Sequence, residues 1–329
     1  MWRTVGHPQV VSLLQRSLAA GRLAHAYLLV GPPHVGKGTL ALDVARALHC
    51  EGEPSPCGAC GPCQTIDRRV HPDVLWVGLL ADEKTGRPRT EISIDQMREV
   101  TSLAALPPFQ GGHRVFIIDG AEHLSPAGAN ALLKTLEEPP PQVVFLLLSA
   151  AEGALLPTIT SRCQRLELRP LPEAEVVRFL EARGLAPDEA RLRARLSGGC
   201  PGRGLDTEFF QRRQEALAQA EALLGEGVGQ RLALAAELAA HYERERDVEF
   251  LDLWMGWWRD LLLVRAGCPG AVANADRAPR LEQAARALSL PQIRAALGSL
   301  RSTVEGLRRH ANPRLALEVL VLGLPRLEA

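Results

Sequence analysis

Apolar positions between residues 8 and 150 fall into two alternating patterns. Pro8 to Ala20 and the stretch after Gly36 carry apolar residues at helical spacing, whereas Ala26 to Val30 and Asp73 to Val77 are short runs of strand length. Val115 to Ile118 and Val143 to Leu148 are unbroken apolar runs, the mark of strands covered on both faces, and are expected in the middle of a sheet. Alternation of this kind predicts a parallel sheet with helices on both faces. The charged, Gly- and Pro-containing stretch from Leu79 to Thr90 reads as a surface loop. After Arg169-Pro170-Leu171-Pro172 the strand signals stop, which places a first domain junction near residue 168. A short helical unit then runs to Gly202-Arg203, followed by a longer region rich in Ala and Leu. Within it Leu251, Trp254, Trp257 and Trp258 recur at helical spacing, a stripe suited to a helix core or to an interface. Leu315 to Leu324, after Asn312-Pro313-Arg314, reads as a last packed helix.

Composition narrows this picture in three ways. A chain of 329 residues, 46% hydrophobic, is too large for one small core, so two or three domains are expected. The formal net charge is zero, which excludes a global basic field; any contact with DNA is local or shared with partners. The first residues do not read as a signal peptide and no apolar run is long enough to cross a bilayer, so the cytoplasm is the expected location. Of the seven cysteines, four cluster at Cys50, Cys57, Cys60 and Cys63, which in a cytosolic chain favours metal over disulfides.

Three groups of residues carry chemistry. Gly31-Pro32-Pro33-His34-Val35-Gly36-Lys37 follows an apolar strand and opens a helix, the setting of a phosphate-binding loop. Backbone N–H groups at the helix start face the phosphate, and Lys37 supplies a point charge. The next residue is Gly38, where a hydroxyl would normally help hold Mg²⁺; Thr39 follows one place later. Asp119 ends the Val115 strand, where a phosphate-loop enzyme places the acid that orients Mg²⁺, although a strand-end Asp also serves as a helix cap. Gly120 occupies the place of the water-polarising acid, and Glu122 comes later in the chain. The cysteines place four thiols within fourteen positions, with Gly and Pro allowing tight turns. Four thiolates suit a closed structural zinc site; an iron-sulfur centre or free thiols are the alternatives.

Further signatures accompany these groups: Arg22 to Leu28 ahead of the loop, His71-Pro72-Asp73, the run Asn130-Ala131-Leu132-Leu133-Lys134-Thr135-Leu136-Glu137-Glu138-Pro139-Pro140, then Ser161-Arg162-Cys163 and Gly198-Gly199-Cys200-Pro201-Gly202-Arg203. In this order the set resembles the AAA+ subunits of the bacterial DNA polymerase III clamp loader, most closely the delta-prime type, strongly to about residue 206 and loosely beyond. The resemblance implies an α/β P-loop AAA+ core over residues 1–168 with a zinc-knuckle insertion at 50–63, a helical lid over 169–206 and an all-α collar over 207–329. It implies a hetero-pentamer with gamma or tau and delta subunits that opens the sliding clamp and places it on primed DNA. Arg162 matches the arginine finger that reaches ATP on a neighbouring subunit, Arg203 matches the sensor-2 position, and Ser149 lies near sensor 1. ATP with Mg²⁺ is the implied ligand of the chain's own cleft, held by residues 31–39, Asp119 and Arg203. Gly38 and Gly120 lead to the expectation of little or no turnover by the chain itself. Two other readings stand beside this one: an active gamma/tau-type motor, and a nucleoside-monophosphate kinase suggested by Gly36-Lys37-Gly38-Thr39.

Overall fold

The computed structural model describes residues 1–81, 89–110, 112–240 and 244–327. Most of the stretch expected as a surface loop after Leu79 therefore lies outside the described residues. The chain divides into two compact units, Met1–Gly184 with Ser197–Arg203, and Leu185–Leu196 with Gly204–Ala329.

The first unit runs α1 (Pro8–Ala19), β1 (Ala26–Val30), α2 (Lys37–His49), α3 (Gly61–Asp67), β2 (Val74–Val77), α4 (Ile94–Ala104), β3 (Arg114–Asp119), α5 (Pro126–Glu137), β4 (Val143–Ser149), α6 (Pro157–Thr160), β5 (Gln164–Glu167) and α7 (Glu173–Glu181). The five strands form one parallel sheet in the order β2-β3-β4-β1-β5. β1 and β4 are buried along their whole length and β3 up to Ile118, which is why their sequences are unbroken apolar runs. Successive residues face opposite layers. Tyr27, Leu29, Ile117 and Leu146 pack with Leu14 of α1 and with Leu40 and Val44 of α2. Leu28, Phe116, Phe145 and Leu147 pack with Met97 and Val100 of α4 and with Leu132 and Leu136 of α5. This is the expected α/β core. The sequence pattern does not predict β5: it is an edge strand whose Gln164 and Arg165 are exposed, and a single buried leucine leaves no period to read.

The strand expected from Asp73 begins one residue later, because Asp73 is occupied elsewhere. Its carboxylate accepts the backbone N–H groups of Phe109 at 2.7 Å and Gln110 at 2.8 Å and pairs with Arg114 at 3.0 Å. Burial alone would raise this carboxyl, but those N–H groups and Arg114 outweigh it and hold it below the usual carboxylate range. A second buried network sets the phosphate-loop helix. Asp43 on α2 accepts the N–H groups of Arg3 and Thr4 and the Thr4 hydroxyl, and it pairs with Arg46. Arg46 reaches Asp67 at the end of α3 at 2.9 Å, and Arg3 bonds the same carboxylate at 2.7 Å. Buried charges satisfied in this way hold the N-terminal segment, α2 and α3 in one arrangement.

The remaining helices are α8 (Pro187–Leu196), α9 (Pro201–Leu205), α10 (Thr207–Ala222), α11 (Val228–Ala240), α12 (Arg244–Arg265), α13 (Ala278–Ala287), α14 (Leu290–Arg308) and α15 (Pro313–Gly323). Apart from the start of α9 they make up the second unit, whose core centres on α12. Leu251, Trp254, Trp257 and Trp258 are at most 1% exposed, and the Trp254 indole N–H donates to the Ala216 carbonyl on α10 at 2.8 Å. Arg231 on α11 is buried and donates to the carbonyl oxygens of Val321 at 2.9 Å, Leu324 at 2.6 Å and Pro325 at 2.9 Å, and to that of Leu223. These are the carbonyls left open where α15 and α10 end. Among the described residues no helix is long and apolar enough to cross a membrane.

Candidate phosphate-binding loop and metal centre

β1 delivers the chain to Gly31, whose N–H is taken by the Ser149 carbonyl at 3.2 Å. A Cβ on Gly31 would lie 2.2 Å from the Leu168 carbonyl oxygen, so the backbone approach there requires glycine. Past Pro32 and Pro33, His34 adopts a left-handed φ of 63°, Val35 is buried, and the chain turns at Gly36 with φ 114°. α2 then starts at Lys37, so the open N–H groups of its first turn face the loop, as phosphate binding needs. The Lys37 ammonium donates to the carbonyls of Gly31 at 2.6 Å and Pro32 at 2.9 Å. Burial lowers its pKa, and the charges of Glu122 and Asp119 oppose that shift. Thr39 points to the exposed side of the helix start.

Asp119 ends β3, and Glu122 lies in the short turn just after it. Asp119 is raised above the usual carboxylate range by desolvation, against the pull of Lys37 and Arg69. Gly120 has φ 75°, and a Cβ there would stand 3.0 Å from the His123 ring. An acidic side chain at this position would be strained in its backbone and crowded by the imidazole. Glu122 accepts the Ala150 N–H at 2.9 Å. Residues 197–203 return to the same loop: the Gly202 N–H donates to the His34 carbonyl at 3.0 Å, and a Cβ on Gly202 would lie 2.9 Å from that oxygen. Arg203 follows, with Cys200 within reach of its charge and that of Lys37. Ser149 is buried and its hydroxyl accepts the Ala151 N–H at 3.2 Å.

Arg162 sits in the turn after α6. Its guanidinium pairs with Glu137 of α5 at 2.5 Å and donates to the Thr158 carbonyl at 2.9 Å and the Ser161 hydroxyl at 3.3 Å. The side chain is one third exposed.

The four cysteines of the insert converge. Cys50 ends α2, Cys60 caps α3, and Cys63 is buried one turn in; the sulfurs of Cys50, Cys57, Cys60 and Cys63 all lie within 4.8 Å of one another. Zinc bonded to thiolate at about 2.3 Å closes such a set into a tetrahedron. Backbone N–H groups already point at the sulfurs, with Cys57 donating to Cys50 at 3.1 Å and Ala59 and Cys60 donating to Cys57 at 3.4 and 3.3 Å. The last two lower the Cys57 thiol to about 6, while burial pushes Cys63 up to about 12. The donor set therefore fits a closed structural ion that leaves no position for a reacting water.

The family described as "DNA polymerase III, delta subunit" matches residues 6–172, a little over half the chain, and "DNA polymerase III, delta subunit, C terminal" matches residues 207–325. The chain belongs to the DNA polymerase III delta-subunit family. It is similar to the subunit gamma/tau of Mycobacterium tuberculosis, 37% identical over 205 residues, covering 60% of this chain and 34% of that one. It is similar to the subunit delta' of Pseudomonas aeruginosa, 39% identical over 184 residues, covering 54% of each. It thus spans between a third and a little over half the length of these curated relatives. A DNA polymerase III gamma-subunit-related protein of Thermotoga maritima superposes over 94% of this chain and 97% of its own with a TM-score of 0.42 at 17% identity.

For this member of the delta-subunit family, the residues read as loop, strand-end acid and lid arginine gather around one cleft, and the four thiols gather around another point. Arg162 bonds within α5 and its own turn. Sequence reading passes over three contributors to the cleft, namely Trp76, Arg69 and Glu122. Trp76 falls within a run read as a strand, Arg69 belongs to none of the motifs, and Glu122 comes late in the chain. The metal reading has a direct check: metal analysis of the purified chain is expected to return about one zinc per chain, and Cys57→Ser to lose it. Iron in its place, or a metal-free chain with all four thiols reactive, would overturn it.

Proposed function

We propose that this chain is a clamp-loader subunit of the delta-prime type that hydrolyses little or no ATP itself and offers Arg162 to ATP held by a neighbouring gamma or tau subunit. The reading rests on the pairing of Gly38 with Gly120. A phosphate-loop motor needs a metal-binding hydroxyl after its lysine and an acid that orients the attacking water. Here both positions are glycine, and each is hemmed in by a large side chain, Trp76 at the first and His123 at the second. In this reading residues 169–206 are the lid and 207–329 the collar through which a hetero-pentamer with gamma or tau and delta assembles in the cytoplasm. That assembly opens the sliding clamp and sets it on primed DNA, which agrees with the absence of a basic field on this subunit.

ATP turnover by the purified full chain, alone and mixed with the other loader subunits, tests it. Turnover is expected only in the mixture. Robust hydrolysis by the isolated chain would establish instead the active motor suggested by the gamma/tau relatives, and phosphorylation of AMP would establish a kinase.

A further inference from the structure

The cleft beside Lys37 holds an arrangement that the loss of a hydroxyl does not by itself explain. A Cβ at position 38 would meet the Trp76 ring at 3.2 and 3.8 Å, so the outer edge of the indole stands beside the place a metal-binding side chain would enter. The same indole lies close enough to Asp119 to act on its carboxyl. Mg²⁺ demands near-octahedral oxygen ligands at about 2.0–2.1 Å and sits between the phosphates, the hydroxyl after the lysine and the strand-end acid. Of those two protein partners one is missing, and the other already faces the positive charges of Lys37 and Arg69. The residues present do not fit the ion.

A cation takes part from another direction. The Arg69 guanidinium lies over the Trp76 ring, 3.9 Å from its centre, and its charge acts on Asp119 together with that of Lys37. Arg69 stands just past the end of α3 in a left-handed conformation, φ 60°, with its N–H bonded to the Ile66 carbonyl at 2.9 Å. The helix that starts within the cysteine cluster thus aims this arginine at the cleft, and the stacked indole is a platform that keeps it there.

We propose that Trp76 shuts magnesium out of this cleft, so that the loop takes the phosphates of a nucleotide as the metal-free polyanion, with Lys37 and Arg69 as its counter-charges. The proposal rests on reading residues 31–38 as a phosphate site. The experiment is calorimetric titration of the full chain with ADP and with ATP, in excess Mg²⁺ and in excess EDTA. Excess Mg²⁺ withholds the nucleotide from a site that takes only the free polyanion, so the wild type is expected to bind at least about tenfold more tightly in EDTA, whereas Trp76→Ala combined with Gly38→Thr is expected to bind at least about tenfold more weakly in EDTA than in Mg²⁺. Arg69→Gln, an exposed substitution that leaves the core alone, is expected to weaken binding severalfold in both conditions. A wild-type chain that binds equally well in both conditions, or more weakly when Mg²⁺ is removed, overturns the proposal while leaving the phosphate site intact. Failure to bind nucleotide in either condition overturns the phosphate site itself. Unchanged affinity in Arg69→Gln removes that arginine from the account.

Discussion

Arg162→Ala in an assembled loader is expected to cut turnover at the one ATP site that the arginine faces by about three to five powers of ten, the range in which a trans-acting arginine stabilises charge on a transferred phosphoryl group. The surroundings of Arg162 suit that task. Its partner Glu137 is about half exposed, and exposed pairs of this kind contribute only about 0–1 kcal/mol, so a neighbour's phosphates can draw the guanidinium away at little cost. For the same reason the variant is expected to fold as the wild type does, and the loss would appear in turnover and not in the melting curve. The measurement is steady-state hydrolysis by the reconstituted assembly in the presence of clamp and primed DNA. Unchanged turnover would reduce Arg162 to a surface ion pair that ties α5 to the turn after α6.

Arg231→Met is expected to destabilise the helical unit by about 3–5 kcal/mol, because each buried carbonyl left without its donor costs about 1–3 kcal/mol. Methionine roughly conserves the volume, so a cavity contributes little. The loss comes from the carbonyls of Leu223, Val321, Leu324 and Pro325, which would remain buried without their shared donor. Urea unfolding followed by near-ultraviolet circular dichroism checks this, because Trp254, Trp257 and Trp258 report on the packing of α12 in the same unit. A loss below about 1 kcal/mol would mean that the helix ends find other donors as readily as a surface site does.

What could be read in advance follows the range of the interactions involved. The loop from Gly31 to Lys37 and the cysteine cluster were legible because their chemistry is local: backbone turns at fixed spacing, and thiols separated by turn residues. The central strands were legible because burial on both faces leaves an unbroken apolar run. β5 was not, since an edge strand with one buried leucine carries no period. Trp76 and Arg69 were hidden for a different reason. Position 76 enters the cleft only because β2 lies beside β3, in the register that sets Trp76 against Ile117, two residues before Asp119. No spacing along the chain encodes that neighbourhood. Asp73 misled in a small way, since a residue in strand register had a stronger claim from two backbone donors and an arginine.

The two glycines bear on how this chain can change over generations. A chain that gained serine or threonine at 38 would press the new side chain against Trp76, and one that gained glutamate at 120 would meet His123 in a backbone conformation that disfavours any side chain. Neither gain pays its way alone. Installing both side chains would need paired changes at both places, each first step costing stability before any benefit appears. The packing around positions 38 and 120 thus resists, one substitution at a time, the side chains that a motor would need there.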